Sequence, residues 1–207
     1  MENEKSAIEI LKEFADKSNR KIEHYRKDYP VSNFRPRFFY RSYAIIQNSS
    51  DNTVSFICYS DSKAFGDNAF FSGFFFPISA DISSKIHIRR KNILDNLNPF
   101  LKKSTYRDAS FRFDSKVIIT ENDLSEANKI LNNYRVQDLI LKALKHDERI
   151  RVGINNIEID AIPDTKDKSD SITESHFEIY ITGQWLLESS SIEELFIIAD
   201  ELRRLIK

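Results

Sequence analysis

In the first half of the chain, aromatic and β-branched residues gather in four stretches separated by short polar segments. The stretches cover residues 37–47, 53–60, 69–79 and 85–91. Residues of these types favour strands, and the letters NSSDN between the first two stretches are typical of a turn. We therefore expect four strands here, with the first two joined as a hairpin.

The third stretch, AFFSGFFFPIS at residues 69–79, carries five phenylalanines around Gly73. As a strand it is apolar on both faces, which is typical of a strand covered on both sides. The rings could line a ligand pocket, but the pattern favours the centre of a hydrophobic core. Pro77 lacks a backbone N–H, so pairing should fade there or the strand should lie at an edge. Gly73 predicts room for a large neighbour, either the N-terminal helix or Trp185.

Apolar residues recur at three- and four-residue spacing in other parts of the chain, which predicts helices. Residues 5–28 form one such stripe, and the proline at position 30 ends it. Two shorter helices are expected over residues 122–131 and 136–144. A final helix is expected over residues 190–206, because Ser190 or Ser191 can cap it and Glu193 or Glu194 completes a capping box.

The second half also contains alternating stretches. Residues 115–120 and 176–183 read as strands, and residues 150–161 read as a hairpin that turns at two asparagines. The sequence therefore predicts an α+β fold, a mostly antiparallel sheet packed against three or four helices. We expect an N-terminal amphipathic helix within residues 1–30 that packs on a single domain of residues 31–207, which includes a polar, mobile loop at 163–175.

Two of the predicted strands place acidic residues and a histidine on one face. In residues 157–161 the isoleucines point one way, so Glu158 and Asp160 point the other, and in residues 176–183 the same reasoning groups His176 with Glu178. If these strands pair, three carboxylates and an imidazole could bind a divalent metal or serve acid–base chemistry. The alternative is the solvated polar face of an antiparallel sheet, which alternation alone produces.

Other chemical motifs are missing. The four histidines lack metal-binding spacing, no G-x-S-x-G is present, and four glycines in 207 residues are too few and too scattered for a phosphate-binding loop. Cys58, the one cysteine, lies in an apolar run and is expected to be a buried small residue rather than a nucleophile. We therefore expect no cofactor and assign no catalytic residue.

Charge is unevenly distributed along the chain. Residues 1–110 carry a net charge of +5 and residues 111–207 a net charge of −6, which together give −1. This asymmetry indicates a polar partner or head-to-tail contact between subunits, with chance scatter on a solvated surface as the alternative. Basic and aromatic residues interleave at 35–41, but a pI near 6.4 makes a nucleic-acid partner unexpected.

Targeting features are also missing. The N-terminus is acidic and lacks the apolar core of a secretory signal. The longest uncharged run has 13 residues, between Asp67 and Asp81, which is too short to cross a bilayer. These features predict a soluble, cytoplasmic protein without a membrane span.

Residues 120–140, TENDLSEANKILNNYRVQDLI, contain an aspartate, a Glu-Ala pair, an Ile-Leu pair and a later Leu-Ile pair in order. With an upstream F-x-G-x-F-F, this pattern resembles a bacterial family known only as domain of unknown function 3137. The resemblance covers about residues 70–207 and implies a fold but no reaction. The residues that carry it are Phe71, Gly73, Phe75, Phe76, Phe113, Asp123, Glu126, Ala127, Ile130, Leu131, Leu139, Ile140, Phe177 and Glu178.

Together these observations favour a non-catalytic interaction module that binds another protein or its own copy. The alternative is a metal-binding protein or a hydrolase-type enzyme that uses the acidic strand face of Glu158, Asp160, His176 and Glu178. The two hypotheses differ in whether divalent ions should stabilise the protein.

Overall fold

The aromatic and β-branched stretches form one antiparallel sheet in a computed structural model of the chain. The structure describes residues 5–30, 39–48, 53–64, 66–79, 82, 85–92, 95, 113, 115–121, 128, 130–159 and 175–206. Within these residues the sheet has eight strands in the order β1-β2-β3-β4-β8-β7-β5-β6. They are β1 (Ile22–Asp28), β2 (Tyr40–Gln47), β3 (Ser55–Asp61), β4 (Phe70–Pro77), β5 (Ile86–Arg90), β6 (Val117–Glu121), β7 (Arg151–Ile154) and β8 (His176–Thr182).

Three α-helices of the described residues contribute to one large core. They are α1 (Ala7–Lys17), α2 (Tyr134–Ala143) and α3 (Ser189–Leu205), and their buried apolar residues belong to the same cluster as one face of the sheet. Phe196 of α3 lies against two strand residues, with ring centroids 5.0 Å from Phe74 and 6.3 Å from Phe56. The predicted α+β class is therefore confirmed.

The opposite face of the sheet carries a second, smaller cluster. Its sheet residues lie on β3, β4 and β8, and two isoleucines that follow β7 complete it; the members are Ile57, Tyr59, Phe71, Phe75, Ile157, Ile159 and Tyr180. Each of these side chains is at most 3 % exposed. Because β4 contributes rings to both clusters, the prediction that this strand is covered on both sides is confirmed.

The phenylalanine-rich strand is central. β4 lies between β3 and β8. Its ladder with β3 ends at Phe75, two residues before Pro77. Pairing with β8 passes the proline, because the N–H of Ile78 donates to the carbonyl of Ser175 (2.9 Å), so the expected fading is found on the β3 side alone. The large neighbour of Gly73 is neither helix α1 nor Trp185 but Tyr180, because a Cβ atom built on Gly73 would lie 2.7 Å from that of Tyr180.

The prediction of one helix over residues 5–28 is wrong in its second half. Helix α1 begins with a capping box between Ser6 and Glu9 and ends at Lys17. Asn19 follows with a φ of 52°, in the left-handed region, which reverses the chain direction. The remaining residues form β1, which pairs with β2 along its whole length. Tertiary pairing has overridden a stripe that fitted a helix.

Two further local predictions are wrong. The second arm of the predicted hairpin at 150–161 is not a strand over residues 157–159, which instead cross the opposite face of the sheet. The N-cap of helix α3 is Glu188, two or three residues before the predicted caps Ser190 and Ser191. The hydroxyls of these two serines instead donate to the Glu188 carboxylate. Most of the helix predicted over residues 122–131 and most of the predicted loop at 163–175 lie outside the described residues.

Candidate functional sites: the Glu178 cluster and the β1 edge

Glu178 is a fully buried carboxylate in the middle of the sheet. It lies on β8 opposite Gly153 of β7, and its side chain is 0 % exposed. The carboxylate accepts hydrogen bonds from the backbone N–H groups of Asn156 (2.9 Å) and Ile157 (3.1 Å). An unpaired buried carboxylate would cost several kcal/mol, so these two donors are what make its burial possible.

The turn that supplies those donors is held from several sides. Asn155 has a φ of 55°, which lets the chain turn after β7. Its side-chain amide donates to the carbonyl of Ile82 (2.8 Å), and its Oδ1 accepts from the backbone N–H of His176 (2.9 Å). The side chain of Asn156 donates to the carbonyl oxygens of Ile86 and Ile154. The turn therefore ties β5, β7 and β8 together around Glu178.

Gly153 gives the carboxylate its space. A Cβ atom at this position would fall inside van der Waals contact of the Asn156 amide and the Ile86 carbonyl, and would lie 3.1 Å from Oε1 of Glu178. This packing therefore requires glycine at position 153.

Two histidines lie beside the carboxylate. Nε2 of His176 is 3.5 Å from Oε2 of Glu178, and the His176 side chain is 10 % exposed. His87 lies on β5, opposite Gly153, so it faces Glu178 across the glycine. Nε2 of each imidazole is buried without a hydrogen-bond partner among the described residues.

The protonation of His87 and Tyr180 is shifted by burial. Burial first, and then the positive charge of Arg151, lower the pKa of His87. Burial, with a contribution from the negative charge of Glu178, raises the pKa of Tyr180. At neutral pH His87 is therefore a neutral imidazole and Tyr180 a protonated phenol. We refer to His87, Arg151, His176, Glu178 and Tyr180 as the Glu178 cluster.

The structure separates the four predicted metal-site residues. His176 and Glu178 do share one face, as predicted. Glu158 is instead at the surface, with its side chain 64 % exposed and its carboxylate 3.8 Å from Nζ of Lys85. Asp160 lies outside the described residues. Over the part of the chain that the structure describes, no group of three or more His, Cys, Asp and Glu residues is arranged to hold a metal ion.

The geometry of Glu178 indicates a structural role. Both of its oxygens accept backbone hydrogen bonds, and its carboxylate lies within a sheet rather than in an open cleft.

Cys58 is also buried: it is 0 % exposed, and burial raises the pKa of its thiol. Its predicted role as a buried small residue is confirmed, and a buried thiol of this kind is a poor nucleophile.

The exposed edge of the sheet is the second candidate site, and the helix prediction concealed it. Residues 24–28 of β1 are all exposed, whereas alternate residues of β6 at the other edge, Val117 and Ile119, are buried. Within the described residues, β1 pairs only with β2. The local signal that could have revealed it is Ser18-Asn19, a pair suited to ending a helix.

The backbone groups of β1 alternate between β2 and the outer edge. Tyr29 donates its N–H to the carbonyl of Phe39, and Lys21 accepts from the N–H of Gln47. Odd-numbered residues therefore bond to β2, and even-numbered ones such as Arg26 direct their N–H and C=O groups outward. This is the arrangement that an added strand requires.

Aromatic and charged side chains surround this edge. Tyr25 is 37 % exposed and stacks on Tyr43 of β2, with ring centroids 5.4 Å apart. The guanidinium of Arg26 lies 4.7 Å from the centre of the Tyr40 ring. Tyrosine and arginine are enriched where proteins bind proteins, because they combine apolar area with directional polar groups.

A buried aspartate fastens the end of the adjoining strands. Asp61 of β3 accepts hydrogen bonds from Arg41 Nε (2.8 Å), the Tyr29 hydroxyl (3.0 Å) and the backbone N–H of Lys63 (2.8 Å). The Lys63 ammonium also lies 3.7 Å from the centre of the Tyr29 ring. These contacts hold Tyr29, the first residue after β1, against β2 and β3.

Asp61 is expected to make stability depend on acidic pH. Burial alone would raise its pKa, but the Lys63 N–H and the Arg41 and Tyr29 side chains outweigh burial and lower it. A lowered pKa in the folded state stabilises the protein above the ordinary aspartate pKa near ~3.9, and this contribution is lost as the pH falls further. Urea denaturation at pH 7 and pH 3 should show a smaller pH-dependent loss in Asp61→Asn than in the wild type. An equal loss would contradict the assignment.

Comparison with known proteins identifies no relative. No protein-family model matches the chain, and neither a curated protein nor a solved structure matches it. Among the described residues, no helix combines the length and the apolar character needed to cross a membrane.

Proposed function

We propose that the protein is a non-catalytic protein-interaction module that binds an extended segment of a partner protein along the outer edge of β1. The observation that carries this proposal is the exposure of five consecutive residues on an edge strand whose backbone groups alternate outward. In strand addition, main-chain hydrogen bonds supply affinity and alternate side chains supply specificity. The Tyr25–Tyr43 stack and the Arg26–Tyr40 pair would supply the latter here.

The charges on the β1 edge favour specific pairing with a partner strand over non-specific aggregation. Three of its five exposed residues, Arg26, Lys27 and Asp28, are charged, and charged side chains on an edge strand suppress non-specific aggregation. A partner strand must therefore carry compatible charges at defined positions. We expect this requirement to limit which segments bind.

The alternative, a metal-binding protein or hydrolase-type enzyme, has less support. Glu158 lies at the surface beside Lys85, and Glu178 is bound to two backbone amides. Because Asp160 is outside the described residues, the alternative stays a prediction.

The resemblance to domain of unknown function 3137 and the soluble, cytoplasmic location also stay predictions. Most described positions that carry the resemblance are buried, as positions that preserve a fold would be.

Replacing Arg26 by proline is expected to abolish partner capture. Proline removes the outward N–H at this position, whereas the bonds of Tyr25 to β2 remain, because proline is tolerated on the open side of an edge strand. Arg26→Ala is the matched control, since it loses the same contact with Tyr40 but keeps the N–H. The measurement is quantitative affinity capture from a lysate of the native cell, with melting curves confirming that both variants fold.

The proposal requires a specific set of proteins that binds the wild type, binds Arg26→Ala more weakly because the contact with Tyr40 is lost, and does not bind Arg26→Pro. Hydrogen exchange of the complex should also slow at the outward amides of His24 and Arg26. Equal capture by all three proteins, or no captured partner at all, would count against binding at the β1 edge.

A further inference from the structure

We infer that β1 pairs with the β1 strand of a second copy of this chain, antiparallel and centred on Tyr25. This inference rests on the proposed function, because it assumes that the edge accepts a strand. It also names the occupant. The order of charges along the strand, K-I-E-H-Y-R-K-D at residues 21–28, favours a second copy of this chain as that occupant.

Symmetry limits the possible registers. A two-fold axis perpendicular to the sheet relates two antiparallel copies of one edge strand, so residues equidistant from the centre lie opposite each other. The centre must be a residue, because paired side chains project from the same face of the sheet. The outward backbone groups belong to even-numbered residues, and each of these then meets another even-numbered residue.

With Tyr25 at the centre, opposite charges meet on both sides of it. Glu23 of each copy lies opposite Lys27 of the other, so the register contains this pair twice. Directly opposed charges of opposite sign stabilise antiparallel pairing, and like charges destabilise it. His24 and Arg26 then form the hydrogen-bonded positions through their outward N–H and C=O groups.

Neighbouring registers lack this complementarity. A centre at His24 places Lys21 opposite Lys27 of the other copy. A centre at Arg26 places the two Arg26 side chains opposite each other. Of these three registers, the one centred on Tyr25 is therefore the one that places each Glu23 opposite a Lys27.

The aromatic residues fit the same register. At the centre, the two Tyr25 side chains form a directly opposed pair that is not hydrogen-bonded through the backbone, the arrangement in which side chains approach most closely. Each Tyr25 already stacks on Tyr43 of its own sheet. Pairing would therefore continue the ring contacts across the junction and cover the exposed part of Tyr25.

The test is a pair of charge reversals at Glu23 and Lys27. In the wild type, sedimentation equilibrium up to about 1 mM should reveal a weak dimer, because one added strand pair makes a small interface. Glu23→Lys and Lys27→Glu should each weaken it by about tenfold or more, since two opposite-charge pairs become like-charge pairs. Lys145→Glu, an exposed charge reversal on the residues after α2, should leave the dimer unchanged.

The distinguishing result is recovery. The double variant Glu23→Lys/Lys27→Glu should dimerise like the wild type, because both pairs are restored in reverse. Equimolar Glu23→Lys and Lys27→Glu should form a mixed dimer, detected by native mass spectrometry, since one copy then supplies lysines at both positions and the other glutamates. Circular dichroism should confirm that every variant remains folded.

A wild type that stays monomeric over the whole range would overturn self-pairing. So would a dimer that ignores both single reversals, or one that the double reversal fails to restore. Failure here is distinct from failure of the proposed function. A monomeric wild type that still captures a different protein through the β1 edge, with Arg26→Pro losing it, would leave the interaction module intact and assign the edge to that partner.

Discussion

Substituting alanine for Gly153 is expected to destabilise the fold by about 3 kcal/mol, which lowers the melting temperature by roughly 10 °C for a chain of this size. The added methyl group would overlap the Asn156 amide and the Ile86 carbonyl, and the latter is backbone in the neighbouring strand. Neither group can move without breaking the turn that binds Glu178. Calorimetric melting of the purified variant measures the loss.

Gly66→Ala provides the control for this prediction. Gly66 has a φ of 73°, so alanine is strained there, but a Cβ atom would have no neighbour within 4 Å. Its expected cost is only the conformational one, about 1 kcal/mol. Equal losses in the two variants would show that overlap at Gly153 is not what makes its substitution costly.

Replacing Glu178 by alanine is expected to cost about 3 kcal/mol of the free energy of unfolding. The change leaves the buried N–H groups of Asn156 and Ile157 without their acceptor, and it removes the negative charge beside His176. Glu178→Gln keeps one acceptor oxygen, so roughly half of this loss is expected. Urea denaturation measures both values.

Glu158→Ala is the matched control for Glu178, because the alternative function assigns the two carboxylates to the same site. Its side chain is mostly exposed, so a change below about 0.5 kcal/mol is expected. Repeating the titrations with zinc or manganese separates the two hypotheses. Stabilisation by either ion that disappears in both alanine variants would favour the metal site and contradict a purely structural Glu178.

Strands and helices with strong local patterns were predictable from the sequence, and those that depend on distant partners were not. The run of phenylalanines from Phe70 to Phe76 is apolar on both faces and predicts β4 from the sequence alone. The stripe of Leu195, Ala199 and Leu202 likewise predicts α3. Residues 22–28 fitted a helical stripe equally well. Their strand conformation depends on pairing with β2, a contact that local periodicity does not contain.

The candidate site was predictable only in part for the same reason. His176 and Glu178 are two residues apart on one strand, so their shared face followed from alternation. The approach of His87 depends on β5 lying beside β7, which is a property of the strand order. Glu158 was misplaced because the chain leaves the sheet after β7. Two asparagines can make a tight hairpin turn, but here their side chains bind backbone groups of three strands, β5, β7 and β8.

The position of β8 has a consequence for biosynthesis. This strand joins β4 to β7, yet it is the last strand along the chain among the described residues. During translation, β1–β4 can pair as a meander as soon as they emerge, but their union with β5–β7 must wait for residues 176–182. Until then, the phenylalanine-rich β4 has an open edge. A ribosome stalled before that point would present this edge to chaperones or to other nascent chains.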